Sequence, residues 1–86
     1  MTKGAPVPPI PDDAPRAGEV YKHYKGDTYK VVGLALHSNE DVWMVVYEPM
    51  HENPDAALFT RPLKDWREVV EWKGEKVERF QILPLP

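Results

Sequence analysis

Eighty-six residues with no cysteine and a net charge of −3 make one small domain that must fold on apolar burial, without disulfides or a thiolate metal site. This excludes a zinc knuckle and a cysteine protease, and the mildly acidic balance argues against non-specific binding to nucleic acid, which needs a basic face. No stretch approaches the roughly 20 apolar residues of a membrane span, and no apolar segment follows the N-terminal lysine as in a signal peptide. No membrane partner is expected, and the cytoplasm is the expected location.

Residues 1–17 carry Pro6, Pro8, Pro9, Pro11 and Pro15 with few large apolar groups. Proline fixes φ and lacks an amide donor, so this segment cannot join a helix interior or a central strand. It reads as a mobile, proline-rich leader, with the domain occupying residues 18–86. A sharper reading takes Pro6-Val7-Pro8-Pro9 and Pro8-Pro9-Ile10-Pro11 as PxxP ligands for an aromatic groove.

Beyond Gly18 the chain alternates in the manner of β-structure. Glu19 to Tyr24 sets Val20, Lys22 and Tyr24 against Tyr21 and His23, a short aromatic strand. Lys25-Gly26-Asp27 is a turn. Thr28 to His37 is the longest predicted strand, with Tyr29, Val31 and Ala35 facing inward and Gly33 marking a bulge or bend. Ser38 to Asp41 is a polar hairpin loop. Val42 to Glu48 is almost wholly apolar and so predicts a central strand covered on both faces.

Pro49 ends that strand, and Ala57 to Arg61 is a short fourth one. Pro62 opens a helical turn or two from Leu63, with Leu63, Trp66 and Val70 at helical spacing. Lys73-Gly74-Glu75 is a turn, and Val77 to Leu83 a last strand. Short strands at this spacing with one helical insert predict a mainly β protein, a partly open barrel of about five strands.

The residues Gly18-x-x-Tyr21-x-His23-Tyr24-Lys25-Gly26-x-x-Tyr29-x-Val31-x-Gly33-x-Ala35-x-His37-Ser38 resemble the opening of the bacterial domain of unknown function 1653 family. Val45-Val46-Tyr47, Arg61-Pro62-Leu63 and Arg79-Phe80 follow in the family's order. The resemblance implies a small barrel of the SH3-like type, with no established substrate or reaction.

The chemistry-bearing residues support binding better than catalysis. Arg61 and Arg79 each adjoin apolar side chains, and a guanidinium can fork onto a carboxylate or phosphate while stacking on a ring. One reading pairs them internally with Glu48, Asp65, Glu78 or strand carbonyls. The other joins them to Tyr24, His37 and Tyr47 in a recognition patch for a peptide, a protein partner or a small anion.

Lys22, Lys25 and Lys30 interleave with tyrosines, which is the alternative of RNA or single-stranded DNA binding. Ser38 beside His37 offers a small-hydrolase alternative, although extended neighbours point to opposite sides. His23, His37 and His51 could ligate zinc only if the fold gathered them, and the hairpin sets the first two at opposite ends. The expectation is therefore a non-catalytic interaction module without cofactor or metal.

Overall fold

The backbone described by the computed structural model comprises residues 8–52 and 55–84. Strands β1 (Val20–His23), β2 (Thr28–His37), β3 (Val42–Pro49) and β4 (Phe59–Pro62) follow one another in antiparallel pairs. A single helical turn, α1 (Leu63–Trp66), leads to the hairpin β5 (Val69–Trp72) and β6 (Glu75–Glu78), and β7 (Phe80–Ile82) returns to pair with β1. The main sheet runs β4-β3-β2-β1-β7 and β5-β6 forms a second, two-stranded sheet. The main sheet does not close, so β4 and β7 are its edges.

The five-stranded sheet and the helical turn after Pro62 agree with the sequence reading. Turn chemistry explains most of the corners. Gly26, at φ 115°, makes the β1–β2 reversal, where its N–H donates to the His23 carbonyl at 2.8 Å. Lys73 and Gly74 have φ values of 52° and 82°, the two positive angles of a two-residue hairpin turn whose twist matches its strands.

The core gathers Val31, Val45, Tyr21, Tyr47, Leu63, Trp66 and Phe80, with Val45 fully and Val31 almost fully shielded. Burial of each such side chain contributes about 1.5–3 kcal/mol. Leu63 and Trp66 share one side of α1 because residues three apart face the same way, and both are buried.

Four expectations are corrected. Ala35 does not face inward. The β2–β3 register shifts between Val31 and Gly33, and the extra residue of that bulge reverses the alternation beyond it. Ala35 is consequently exposed while Leu34 packs on the core.

Strand β3 is not covered on both faces, since Val45 and Tyr47 are buried but Met44 and Val46 only half so. Val70 does not extend α1; it lies in β5 opposite Val77. The predicted last strand is two, because the ladder breaks at Arg79 between β6 and β7.

Residues 8–17, read from composition as part of a leader outside the domain, lie against it. Ala14 and Pro15 are buried, and Asp13 pairs with Arg67 at 2.8 Å. Residues 1–7 are outside the described residues, and with them the first half of Pro6-Val7-Pro8-Pro9.

Candidate functional site

Strand alternation brings one arginine to the middle of an aromatic cluster. In β4, Phe59 and Arg61 share a side while Thr60 turns out. The register sets Phe59 opposite Tyr47 and Arg61 opposite Val45, the two buried residues of β3. Arg61 is thereby carried to the inner side, where its guanidinium lies over the Phe80 ring at 5.6 Å.

Phe80 reaches the same place from the other edge. Its partner in the β1–β7 register is His23, and the two rings meet edge to face at 5.0 Å. Tyr29 and Tyr47 approach Phe80 at 6.0 and 5.9 Å.

Arg79 completes this corner. It sits at the break between β6 and β7, with its N–H donating to the Glu68 carbonyl at 2.9 Å and its carbonyl accepting from Tyr24 N–H at 3.0 Å. Its guanidinium donates to Glu68 Oε1 at 3.1 Å. This is the internal ion pair expected of such an arginine, with Glu68 in place of Glu48, Asp65 or Glu78. Arg61 has no ion pair among the described residues, and the Nε atoms of both arginines are buried without a hydrogen-bond partner.

The electrostatic effect falls on His23. Its pKa is lowered from 6.5, first by burial, then by the positive charges of Arg61, Arg79 and Lys25, with Asp27 opposing. Its Nδ1 accepts the Lys25 N–H at 3.1 Å, so the tautomer carrying hydrogen on Nε2 is the one held.

The five residues expected as one patch are not all brought together. Tyr47 is buried in the core. Tyr24 stands beside His23, ring centroids 4.4 Å apart, at the Thr28 end of β2. His37 is at the other end of that ten-residue strand, roughly 30 Å of extended backbone away. There its Nδ1 accepts the Glu40 N–H at 3.3 Å, and no hydrogen bond joins it to Ser38 among the described residues. The hydrolase geometry is not assembled. Nor do three metal-ligating side chains gather anywhere among the described residues.

Of the three lysines, Lys22 lines a groove of about 420 Å³ with His23, Tyr24, Trp72 and Lys76, in which Glu78 also stands. Lys25 Nζ lies over the Tyr24 ring at 5.8 Å. Lys30 is outside that lining, on β2 opposite Val20 and Glu48.

As binding residues, sequence reasoning passed over Trp43, Trp72, Lys73 and Lys76, and it weighed His23 only as a metal ligand. Trp72 was recoverable, because Val69 to Glu78 is a symmetrical strand–Lys-Gly–strand pattern. Trp43 was recoverable only from the leader, with which it makes its hydrogen bond.

A family model described as a protein of unknown function, DUF1653, matches residues 19–82. A crystal structure of a DUF1653 protein from Bordetella bronchiseptica is similar, with 34% identity and a TM-score of 0.75, covering 83% of this chain and 88% of that one. Among curated proteins, none matches the sequence.

Proposed function

This chain belongs to the DUF1653 family of proteins of unknown function, and from that premise we propose that it is a non-catalytic binding module for an anionic group. The receptor is the corner formed by His23, Arg61 and Arg79 beside Phe80. Its ligand is a phosphate or carboxylate, free or carried by a peptide or protein partner.

The observation that carries this reading is Arg61, a half-buried guanidinium laid on an aromatic ring with no carboxylate paired to it among the described residues. A cation held this way is attracted to the ring's quadrupole yet keeps donors for an incoming anion. Arg79, whose guanidinium also donates to Glu68, and His23, through its Nε2–H, add donors at the corner, where Asp27 and Glu68 oppose the positive charge. A second anion would relieve the crowding of like charge.

The test is a titration of the full chain with inorganic phosphate, read by NMR at the His23 ring and the Arg61 Nε–H. Saturable shifts at both are expected, weakened roughly tenfold or more in Arg61→Gln, the cost of one charged hydrogen bond. Shifts that never saturate, or that survive unchanged in Arg61→Gln, refute the reading.

The Tyr24–Trp72 groove supports a second reading, single-stranded RNA or DNA. These rings meet edge to face at 5.2 Å, and Lys73 lies over Trp72 at 5.6 Å. With Lys22, Lys25 and Lys76 they make a stacking surface with phosphate-binding cations. Affinity for an oligonucleotide would then fall steeply with salt; no binding at low salt removes it. A cytoplasmic location belongs to the same proposal. No helix among the described residues is long and apolar enough to cross a membrane.

A further inference from the structure

Trp43 occupies the β3 position opposite Leu36, near the β2–β3 hairpin, where it is half-buried against the core. An indole has one polar atom, a donor, and a buried indole usually finds an acceptor for it. Trp43 Nε1 donates to the Pro8 carbonyl at 2.8 Å.

That acceptor is characteristic of a polyproline segment. An extended proline-rich chain makes no internal hydrogen bonds, so its carbonyls project freely. It also has three residues per turn, so that in this conformation Pro8 and Pro11 share one side. Pro8, Pro9 and Pro11 line a groove of about 470 Å³ together with Val42, Trp43, Pro62 and Leu63.

The segment is also tethered where it leaves the groove. The Ala14 N–H donates to the Pro11 carbonyl at 3.1 Å, Ala14 is buried in the core, and Asp13 pairs with Arg67. A tether of this length presents Pro8–Pro11 to Trp43 at high effective concentration.

We propose that the Trp43–Pro62 face is a receptor for proline-rich extended segments, against which the chain's own Pro8–Pro11 is seated in cis. The external ligand is a protein bearing a PxxP-type segment, and it binds by displacing the resident one. The leader thus sets the threshold for binding, because a ligand must compete with a tethered copy of its own motif. None of the residues in this groove belongs to the His23–Arg61–Arg79 corner, so this inference stands apart from the anion reading.

The test uses the full chain with the tether intact. A synthetic peptide of the sequence Pro-Val-Pro-Pro-Ile-Pro-Asp, residues 6–12 of this chain, is titrated against the unsubstituted protein and against Pro8→Ala/Pro11→Ala. The Trp43 indole N–H resonance is followed in both. These two changes lie on the surface, so the sheet's amide dispersion is retained.

The expected result has three parts. The double substitution alone moves the Trp43 indole resonance. The peptide then binds the variant at least tenfold more tightly than the unsubstituted chain. Trp43→Phe, which keeps the ring face and removes the donor, weakens that binding several-fold when added to the double variant. The proposal is overturned if the double variant leaves the indole resonance in place, if it binds the peptide no better, or if a proline-to-alanine peptide binds equally well.

Discussion

Phe80 and Trp66 stack face to face, with ring centroids 3.7 Å apart and planes within 5°. One ring comes from the last strand and the other from the only helix among the described residues, and Tyr21 and Tyr47 close on Trp66 at 5.3 and 4.9 Å. Phe80 is thus where the second edge of the sheet is fastened to the core. Truncating it to alanine removes a stacked pair and leaves a void. We expect Phe80→Ala to cost about 3–5 kcal/mol in urea denaturation. A loss below about 1 kcal/mol would mean that the ring is not structurally central.

Glycine tolerance separates bulge from turn. A Cβ at Gly33 meets nothing within 4 Å, and its backbone is not in the positive-φ region. Gly33→Ala should therefore stay within about 0.5 kcal/mol of the parent. Gly26 is equally uncrowded but has φ 115°, a conformation that L side chains disfavour. Gly26→Ala should cost about 1 kcal/mol or more. Equal melting temperatures for the two variants would contradict this account.

The acid limb of stability should carry the signature of His23. Its folded-state pKa lies below the ordinary 6.5 because burial and the neighbouring Arg61 and Arg79 disfavour the imidazolium. The unfolded chain therefore takes up the proton first as pH falls. The His23 contribution is complete above 6.5 and is lost as pH drops through the folded-state value. Arg61→Gln removes part of the cause, so the His23 pKa measured by NMR should rise. An unchanged or lower value would argue that Arg61 is not close to the ring.

At the alkaline end Tyr21 takes the same role with the opposite sense. Its phenol is pushed from 10.0 up to about 12, chiefly by burial and then by Glu19, whose Oε1 accepts its proton at 3.1 Å. The unfolded phenol ionises near 10, so the stabilisation holds below that pH and drains away as pH rises toward 12. Tyr21→Phe should flatten stability over that interval, measured by denaturation at fixed pH. A slope matching the parent's would assign the loss elsewhere.

What the sequence made legible followed from local chemistry. Alternation from Val20 to His23, the Gly26 and Gly74 turns, and Pro62 before Leu63 all specify their conformations within a few residues. The Gly33 bulge was legible as a place but not as a consequence. Its effect on Ala35 and Leu34 depends on which residue of β3 it faces.

The candidate site suffered most from this limit. Arg61 and Arg79 stood out because each sits among apolar neighbours, and both proved half-buried. His37 looked like their companion only because the chain order of β2 conceals its length. His23 becomes their neighbour through the pairing of β1 with β7, which no short-range pattern encodes.

That last pairing also orders events in time. Tyr21 finds its β2 partner, Tyr29, across a tight turn, whereas its other partner is Ile82. During synthesis the β1–β2–β3 hairpins can form as they leave the ribosome, while Phe80 is still in the exit tunnel. Until it emerges, β1 presents an unpaired backbone edge, and Tyr21, Tyr47 and Trp66 lack the ring they close around. Such an intermediate exposes apolar surface and is open to aggregation or to capture by a chaperone. Completion of the sheet therefore waits on Phe80, and a chain interrupted before it would keep the β1 edge open.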